Sequence, residues 1–399
     1  MTETIGKSIS ERKVLSGILG LGLLVLSACG GGSNSSGPPP PLPNGQTGSI
    51  EAADLSSANC YIQDNTTCAS PYTGANAITA LAAVTFGTTT PTNVLYWGDN
   101  GGNIYSASPT PTLPSSAPSS CGSSTSSPPI TALAVVPSLT APLLFYTTSG
   151  GILKGTLTSS GACSSLTFSS STISTSLTGS ITYINGLIVG VTPSATYFTC
   201  TTGTSPTCTS QGTLPGLVDT SPQITAIGAD PQYPIVYVVA IGVNTSRIYF
   251  YQVGTNGVLT SIGNYTGTEL INPSGIALFV GKTGTSNYCT IGPCTFMDVT
   301  NAGNTTVTQY VLTYSGPATG TPTGVSVNQF NNAYYNCDLI NPDAIAAFPN
   351  SSAGTLNTPE VFVGENGISS VSSSSGPACF SLSSGSYGNN ITAYTVKNE

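Results

Sequence analysis

Thirty residues, from Ile224 to Val253, constrain this chain more than any other stretch: ITAIGADPQYPIVYVVAIGVNTSRIYFYQV. ITAIGA is apolar and rich in β-branched residues until Asp230-Pro231 breaks it. IVYVVAIG is a continuous apolar run, a polar Asn-Thr-Ser turn follows, and RIYFYQV alternates apolar with polar. Strand, turn, strand, turn, strand is the pattern of an antiparallel meander.

Relatives of this phrase recur along the chain. They begin at Ile78 (ITALAAVTFG), Ile130 (ITALAVVPSL), Ile181 (ITYINGLIVG) and Ile224. LINPSGIALFVG and LINPDAIAAFPN place two more apolar cores at Ile276 and Ile345. Intervals of roughly 40–50 residues suit a four-stranded propeller blade. Within a copy an aromatic residue, a short Gly-containing turn and an isoleucine follow one another. Trp97 to Ile104, Tyr146 to Ile152 and Phe362 to Ile368 are the examples, and Asn-Gly or Gly-Gly supplies the positive φ of a tight hairpin. NGVLTSIGNYTGTELINP and TGVSVNQFNNAYYNCDLINP supply the fourth strand.

The expected fold is therefore all-β: a six-bladed β-propeller, with seven blades as the alternative, and four antiparallel strands per blade. The chain ends in NNITAYTV, which reads as a third strand. Ser49 to Gln63, just ahead of the first copy, is placed to complete that blade and close the ring. Closure matters because open sheet edges invite aggregation. A solenoid would need shorter rungs, and Ig-like sandwiches need about 100 residues each.

The first 48 residues follow a different logic. Lys7, Arg12 and Lys13 precede the apolar segment Val14 to Ala28, a signal-peptide arrangement too short to span a bilayer comfortably. Leu26-Ser27-Ala28-Cys29 resembles the lipobox of bacterial lipoproteins. That resemblance implies removal of residues 1–28 and lipidation of Cys29, a durable membrane anchor. Gly30 after the cysteine implies the outer membrane. Residues 29–48 are rich in Gly, Ser and Pro and form a tether, so residues 49–399 are the propeller domain.

Among 399 residues only 6% are charged, and none is His. Removing residues 1–28 leaves four basic and thirteen acidic side chains, a net of −9. Lys154, Arg247, Lys282 and Lys397 are too few and too scattered to follow a phosphate backbone, which excludes nucleic acid as a partner. Ten cysteines remain beside Cys29, an even number in an oxidising compartment. The close pairs Cys60/Cys68, Cys200/Cys208 and Cys289/Cys294 read as local disulfides. Cys121/Cys163 and Cys337/Cys379, each 42 residues apart by subtraction, read as bridges between equivalent places. Without His or a CxxC spacing, zinc is not indicated.

The propeller pattern resembles the broad class of bacterial propellers of NHL, lactonase-like and quinoprotein-like type. The resemblance is carried best by Gly228 to Val239, where an apolar run ends in Asp-Pro before an aliphatic-aromatic strand. It implies fold and not activity. Lack of His removes the usual general base and the Ser-His-Asp triad. Asp99, Asp298 and Glu365 fall at or near the ends of second strands. They are the candidates for a ligand or metal site at the channel mouth, with Ca²⁺ the cation such a site would take. Asp99 and Glu365, however, also stand before Asn-Gly-Gly and Asn-Gly, where acids act as ordinary turn residues, as Asp230 does before Pro231. Trp97 and most tyrosines read as packing between blades, and Tyr334-Tyr335 as a candidate aromatic binding face.

Two functions fit. The first is a non-catalytic, membrane-anchored module without cofactor that binds an envelope protein or a glycan. The alternative is a lactonase- or lyase-like propeller enzyme with carboxylates and a divalent metal in its channel.

Overall fold

A computed structural model of the protein describes residues 49–53, 76–87, 92–107, 120–123, 129–137, 142–158, 161, 168–203, 205–280, 295–304, 306–316, 321–331, 342–348, 361–365 and 391–397. They form strands, turns and bends, and no helix occurs among the described residues.

Strand β1 (Ser49–Ala53) comes first among the described strands. The first sheet then runs β2 (Ile78–Phe86), β3 (Thr92–Asp99), β4 (Asn103–Ala107) and β5 (Gly122–Ser123). The second is β6 (Ile130–Val136), β7 (Leu143–Thr148), β8 (Gly151–Thr156) and β9 (Phe168–Ser174). The third is β10 (Ser180–Ile184), β11 (Leu187–Val191), β12 (Thr196–Thr201) and β13 (Cys208–Thr213). The fourth, from the stretch that defines the repeat, is β14 (Gln223–Ala229), β15 (Ile235–Ile241), β16 (Ser246–Val253) and β17 (Leu259–Tyr265). The fifth is β18 (Pro273–Val280), β19 (Thr295–Asn301), β20 (Thr306–Ser315) and β21 (Gly324–Asn331).

These are β-propeller blades of four antiparallel strands, and five of them are built from consecutive strands. No sixth or seventh uninterrupted blade occurs among the described residues. The remaining sheet is composite: β22 (Pro342–Ala347), β23 (Val361–Glu365) and β24 (Ile391–Lys397) are joined by β1 at the outer edge. The pairing runs from Ser49 opposite Lys397 to Ala53 opposite Ala393. The N-terminal strand thus completes the sheet that the C-terminal strand leaves unfinished.

Apolar residues fill the seams between sheets. Tyr96 and Ile104 of the first blade pack with Leu133 and Tyr146 of the second. Tyr237 and Phe250 of the fourth pack with Met297 and Tyr310 of the fifth. Trp97 is fully buried in the seam between the first blade and the composite sheet, with Phe362 and Ala344. It stacks on Tyr105, ring centroids 5.6 Å apart. Glycine in the second strand permits the close approach. A Cβ on Gly98 would lie 2.5 Å from Ile130, and one on Gly364 would lie 2.6 Å from Ile78.

One β-bulge recurs near the start of the innermost strand, with the extra residue at Thr79, Thr131, Thr225, Ser274 and Asp343. This register corrects the repeat alignment. Pro273 and Pro342, not Ile276 and Ile345, hold the place of Ile78. Proline is tolerated there because the first residue of a strand can do without a ladder N–H.

Cys200 and Cys208 are directly opposite across β12 and β13 and form a disulfide. Cys121 is also disulfide-bonded. Cys29, Cys60, Cys68, Cys163, Cys289, Cys294, Cys337 and Cys379 lie outside the described residues, as do Tyr334, Tyr335 and Lys282.

Candidate functional site

The innermost strands β2, β6, β10, β14, β18 and β22 line a channel of about 280 Å³. At its mouth the bulged residues come together: Thr79, Thr131, Thr225, Ser274 and Asp343, with Ser180 from the third blade. A bulge re-aims a side chain out of the strand's alternation, which is why one polar residue per strand faces the axis while its neighbours enter the seams.

The hydroxyls stitch neighbouring sheets together. Thr79 donates to the Ile130 carbonyl at 2.5 Å, and Ser274 donates to the Pro342 carbonyl at 2.6 Å. Thr131 and Thr147 share a hydrogen bond of 2.8 Å, and Thr147 donates onward to the Gly179 carbonyl at 2.8 Å. Ser180 accepts from the Ile227 N–H at 3.1 Å. Asp343, half-buried, is the only ionisable acid or base among the described channel-lining residues apart from Tyr183. It also lines a second concavity of about 580 Å³ beside the mouth, shared with Thr225, Ser274 and Asn272. A third, of about 520 Å³, lies between the β15–β16 hairpin and the segment before β18. Val243 and Ile271 line it and are exposed, as is Val218 nearby in the segment before β14.

Asp99 and Asp298 are not among the residues that line this mouth. Asp99 is buried in its own hairpin. Its carboxylate accepts from the Asn103 backbone N–H at 2.8 Å and from the side-chain amides of Asn103 and Asn76. It is a turn-forming residue. Glu365 occupies the same register place in the composite sheet: it pairs with Pro342 as Asp99 pairs with Ile78. Its side chain lies outside the described residues. In the fifth blade that place belongs to Asn301, opposite Pro273. Asp298 is three residues earlier, fully buried in mid-strand between Ala277 and Gln309.

Three other acids lock seams. Asp230 caps its turn through the N–H groups of Gln232 (2.9 Å) and Tyr233 (3.1 Å), and its other oxygen accepts from Tyr237 (3.1 Å) and from Tyr314 of the next blade. Burial raises its pKa, and these hydrogen bonds only partly oppose the rise. Glu269 accepts from Tyr265 and Tyr310, both at 2.9 Å. Asp219 receives Arg247 at 3.1 Å and Tyr249 at 2.9 Å. Among the described residues no group of three or more His, Cys, Asp or Glu could hold a metal ion.

The residue missed in the sequence is Asp343. Its signal was the bulge column itself, which reads Thr, Thr, Thr, Ser and then a single acid.

No protein-family model matches the chain, and no curated protein does. Solved structures similar to it include the PQQ-bound aldose sugar dehydrogenase of Streptomyces coelicolor, at 10% identity and TM-score 0.44, covering 88% of this chain and 99% of that one. A triple mutant of AofleA from Arthrobotrys oligospora has 12% identity and TM-score 0.47, covering 74% and 82%. The β-propeller domain of Cps50 (Swd1) from Myceliophteria thermophila has 9% identity and TM-score 0.41, covering 72% and 81%. The likeness ends at the fold.

Proposed function

We propose that the chain is a lipid-anchored, non-catalytic β-propeller of the outer membrane, held by Cys29 and binding an envelope protein or a glycan through its channel-mouth face. The composite sheet is its sixth blade. Ring closure is supported by the repetition of one seam: Gly364 receives Ile78 as Gly98 receives Ile130.

The observation that carries the binding reading is the mouth face itself. It combines two open concavities with exposed Val218, Val243 and Ile271, and aliphatic side chains grouped on a rim mark interaction surfaces. Asp99, Asp219, Asp230 and Glu269 are meanwhile engaged in hydrogen bonds that hold turns and seams, which argues against their use as acids or bases.

A photo-crosslinking side chain at position 243, in cells, should give one discrete adduct. Absence of any adduct from a folded protein would sink the partner-binding face. Cys29→Ser should move the protein from membrane to soluble fractions, and continued membrane fractionation would refute the anchor. The melting temperature should be the same in EDTA and in Ca²⁺. A rise in Ca²⁺ would instead favour the metal-dependent enzyme.

A further inference from the structure

Polar side chains at the mouth end of the ring are of two kinds. Those of the bulge column are committed to the protein: Thr79 and Ser274 donate to main-chain carbonyls, and Thr131 bonds Thr147. Those around the concavity of about 520 Å³, between the β15–β16 hairpin and the segment before β18, are not. Asn244, Thr245, Thr266, Thr268 and Asn272 line it and are exposed. Among the described residues no hydrogen bond within the protein engages any of these five side chains.

The backbone that carries them is fixed from behind. At the hairpin, Ile241 pairs with Ser246, and a Cβ on Gly242 would lie 2.6 Å from the Thr245 carbonyl oxygen and 2.9 Å from the Asp219 carboxyl carbon. Arg247, at the base of the hairpin, donates to Asp219 at 3.1 Å and to Asn264 at 3.2 Å. On the facing wall the Leu270 N–H donates to the Gly267 carbonyl at 3.3 Å, and Glu269 beside it is held by Tyr265 and Tyr310. Asn272 takes a φ of 48°. Its carbonyl and that of Ile271 accept from the N–H groups of Ala302 and Gly303, both at 3.1 Å. Walls already ordered in this way reduce the entropy that a ligand must overcome on binding.

The lining selects the class of ligand. None of the residues around the concavity is charged, and neighbouring Arg247 is engaged with Asp219, so neither an anion nor a cation is balanced there. Carboxamides and hydroxyls each donate and accept, which matches a ligand whose own groups are hydroxyls. Exposed Val243 and Ile271 add hydrocarbon for the C–H faces of a sugar ring. No Trp, Tyr or Arg lines the concavity, although these residues dominate protein–protein hot spots. The volume falls within the roughly 300–1,000 Å³ of small-ligand sites. We propose that this concavity binds an uncharged oligosaccharide, with its hydroxyls on Asn244, Asn272 and the three threonines and its C–H faces on Val243 and Ile271. The proposal rests on the reading of the mouth end as a binding face and narrows its partner to a neutral glycan.

Binding of the labelled full chain to an array of immobilised oligosaccharides tests it. The array carries neutral members built from hexoses, deoxyhexoses and N-acetylhexosamines beside acidic ones built from uronates, sialosides and sulfated sugars. Binding to a subset of the neutral members is expected, with the acidic members silent. Calorimetric titration with the strongest neutral member should saturate with a Kd on the order of 1 mM or tighter. Asn244→Ala should weaken that binding about fivefold for loss of its hydrogen bonds. Asn272→Gly, which keeps the left-handed backbone accessible, should weaken it by a similar factor. Silence of the whole array, preference for acidic members, or unchanged binding in both variants would each overturn the proposal. Should N272G fail to fold, N244A on the exposed hairpin decides alone. A protein adduct at position 243 with a silent array would strike the oligosaccharide and leave the binding face standing, whereas a silent array without any adduct would remove both.

Discussion

The seam between the fourth and fifth blades and the mouth of the channel both place oxygen-bearing side chains inside the molecule, and they use them in opposite ways. In the seam, tyrosine hydroxyls donate to acids: Tyr237 and Tyr314 to Asp230, Tyr265 and Tyr310 to Glu269. Each acid there accepts hydrogen bonds from two tyrosines. At the mouth, hydroxyls donate to main-chain carbonyls of the neighbouring sheet. An acid in the seam is thus a structural fastener enclosed by tyrosines, whereas Asp343 stands half-buried beside an open concavity. Four described acids, Asp99, Asp219, Asp230 and Glu269, serve assembly by accepting hydrogen bonds from the protein itself.

If this contrast is right, the largest effect should come from the seam. Asp230→Ala would leave two tyrosine hydroxyls and two turn N–H groups without their acceptor in a buried site. At about 1–3 kcal/mol for each unsatisfied group, discounted for relaxation, a loss of about 3 kcal/mol or more is expected from denaturant unfolding. A loss below about 1 kcal/mol would mean that water replaces the carboxylate and that the seam is open. Glu269→Ala should cost about 2 kcal/mol, since Tyr310 is fully buried and donates to it while Tyr265 lies nearer solvent.

The same acid gives the seam a pH signature. Burial raises the pKa of Asp230 in the folded protein, so the folded state holds its proton at pH values where the unfolded chain has released it. The contribution of this group to stability is therefore complete below the unfolded carboxylate's value, near 3.9, and is lost as pH rises through the higher folded value. Unfolding free energies of the wild type and Asp230→Asn, measured across that window, should diverge. The wild type should lose stability relative to the variant as pH rises, and parallel profiles would remove Asp230 as the titrating group.

The fold was largely legible because its signals are local. Apolar alternation and Gly-containing hairpins mark strands within a few residues, and NNITAYTV announces a missing neighbour that Ser49–Ala53 supplies. Trp97, Tyr249 and Tyr251 were rightly read as packing, all three being buried. Asp230 was rightly read as a turn former, but its second role was hidden, because Tyr314 lies 84 residues away. The site was less legible for a similar reason. Acids were sought at the ends of second strands, where Asp99 proves to cap its own turn. Asp343 sits inside LINPDAIAAF, and only the bulge brings it to the axis. A bulge breaks the two-residue period without leaving a composition signal of its own, so the column of Thr79, Thr131, Thr225, Ser274 and Asp343 emerges only once strand register is known.

The smallest expected change in stability separates the two regions most sharply. Asp343 is half-buried at an open mouth rather than enclosed in a seam. Replacing its charge with the neutral isostere in Asp343→Asn should shift the unfolding free energy by no more than about 0.5–1 kcal/mol, several-fold less than Asp230→Ala. Stability would then be carried chiefly by the acid that tyrosines enclose rather than by the acid at the open mouth. A destabilisation by D343N as large as that of D230A would place Asp343 among the fasteners and erase the contrast.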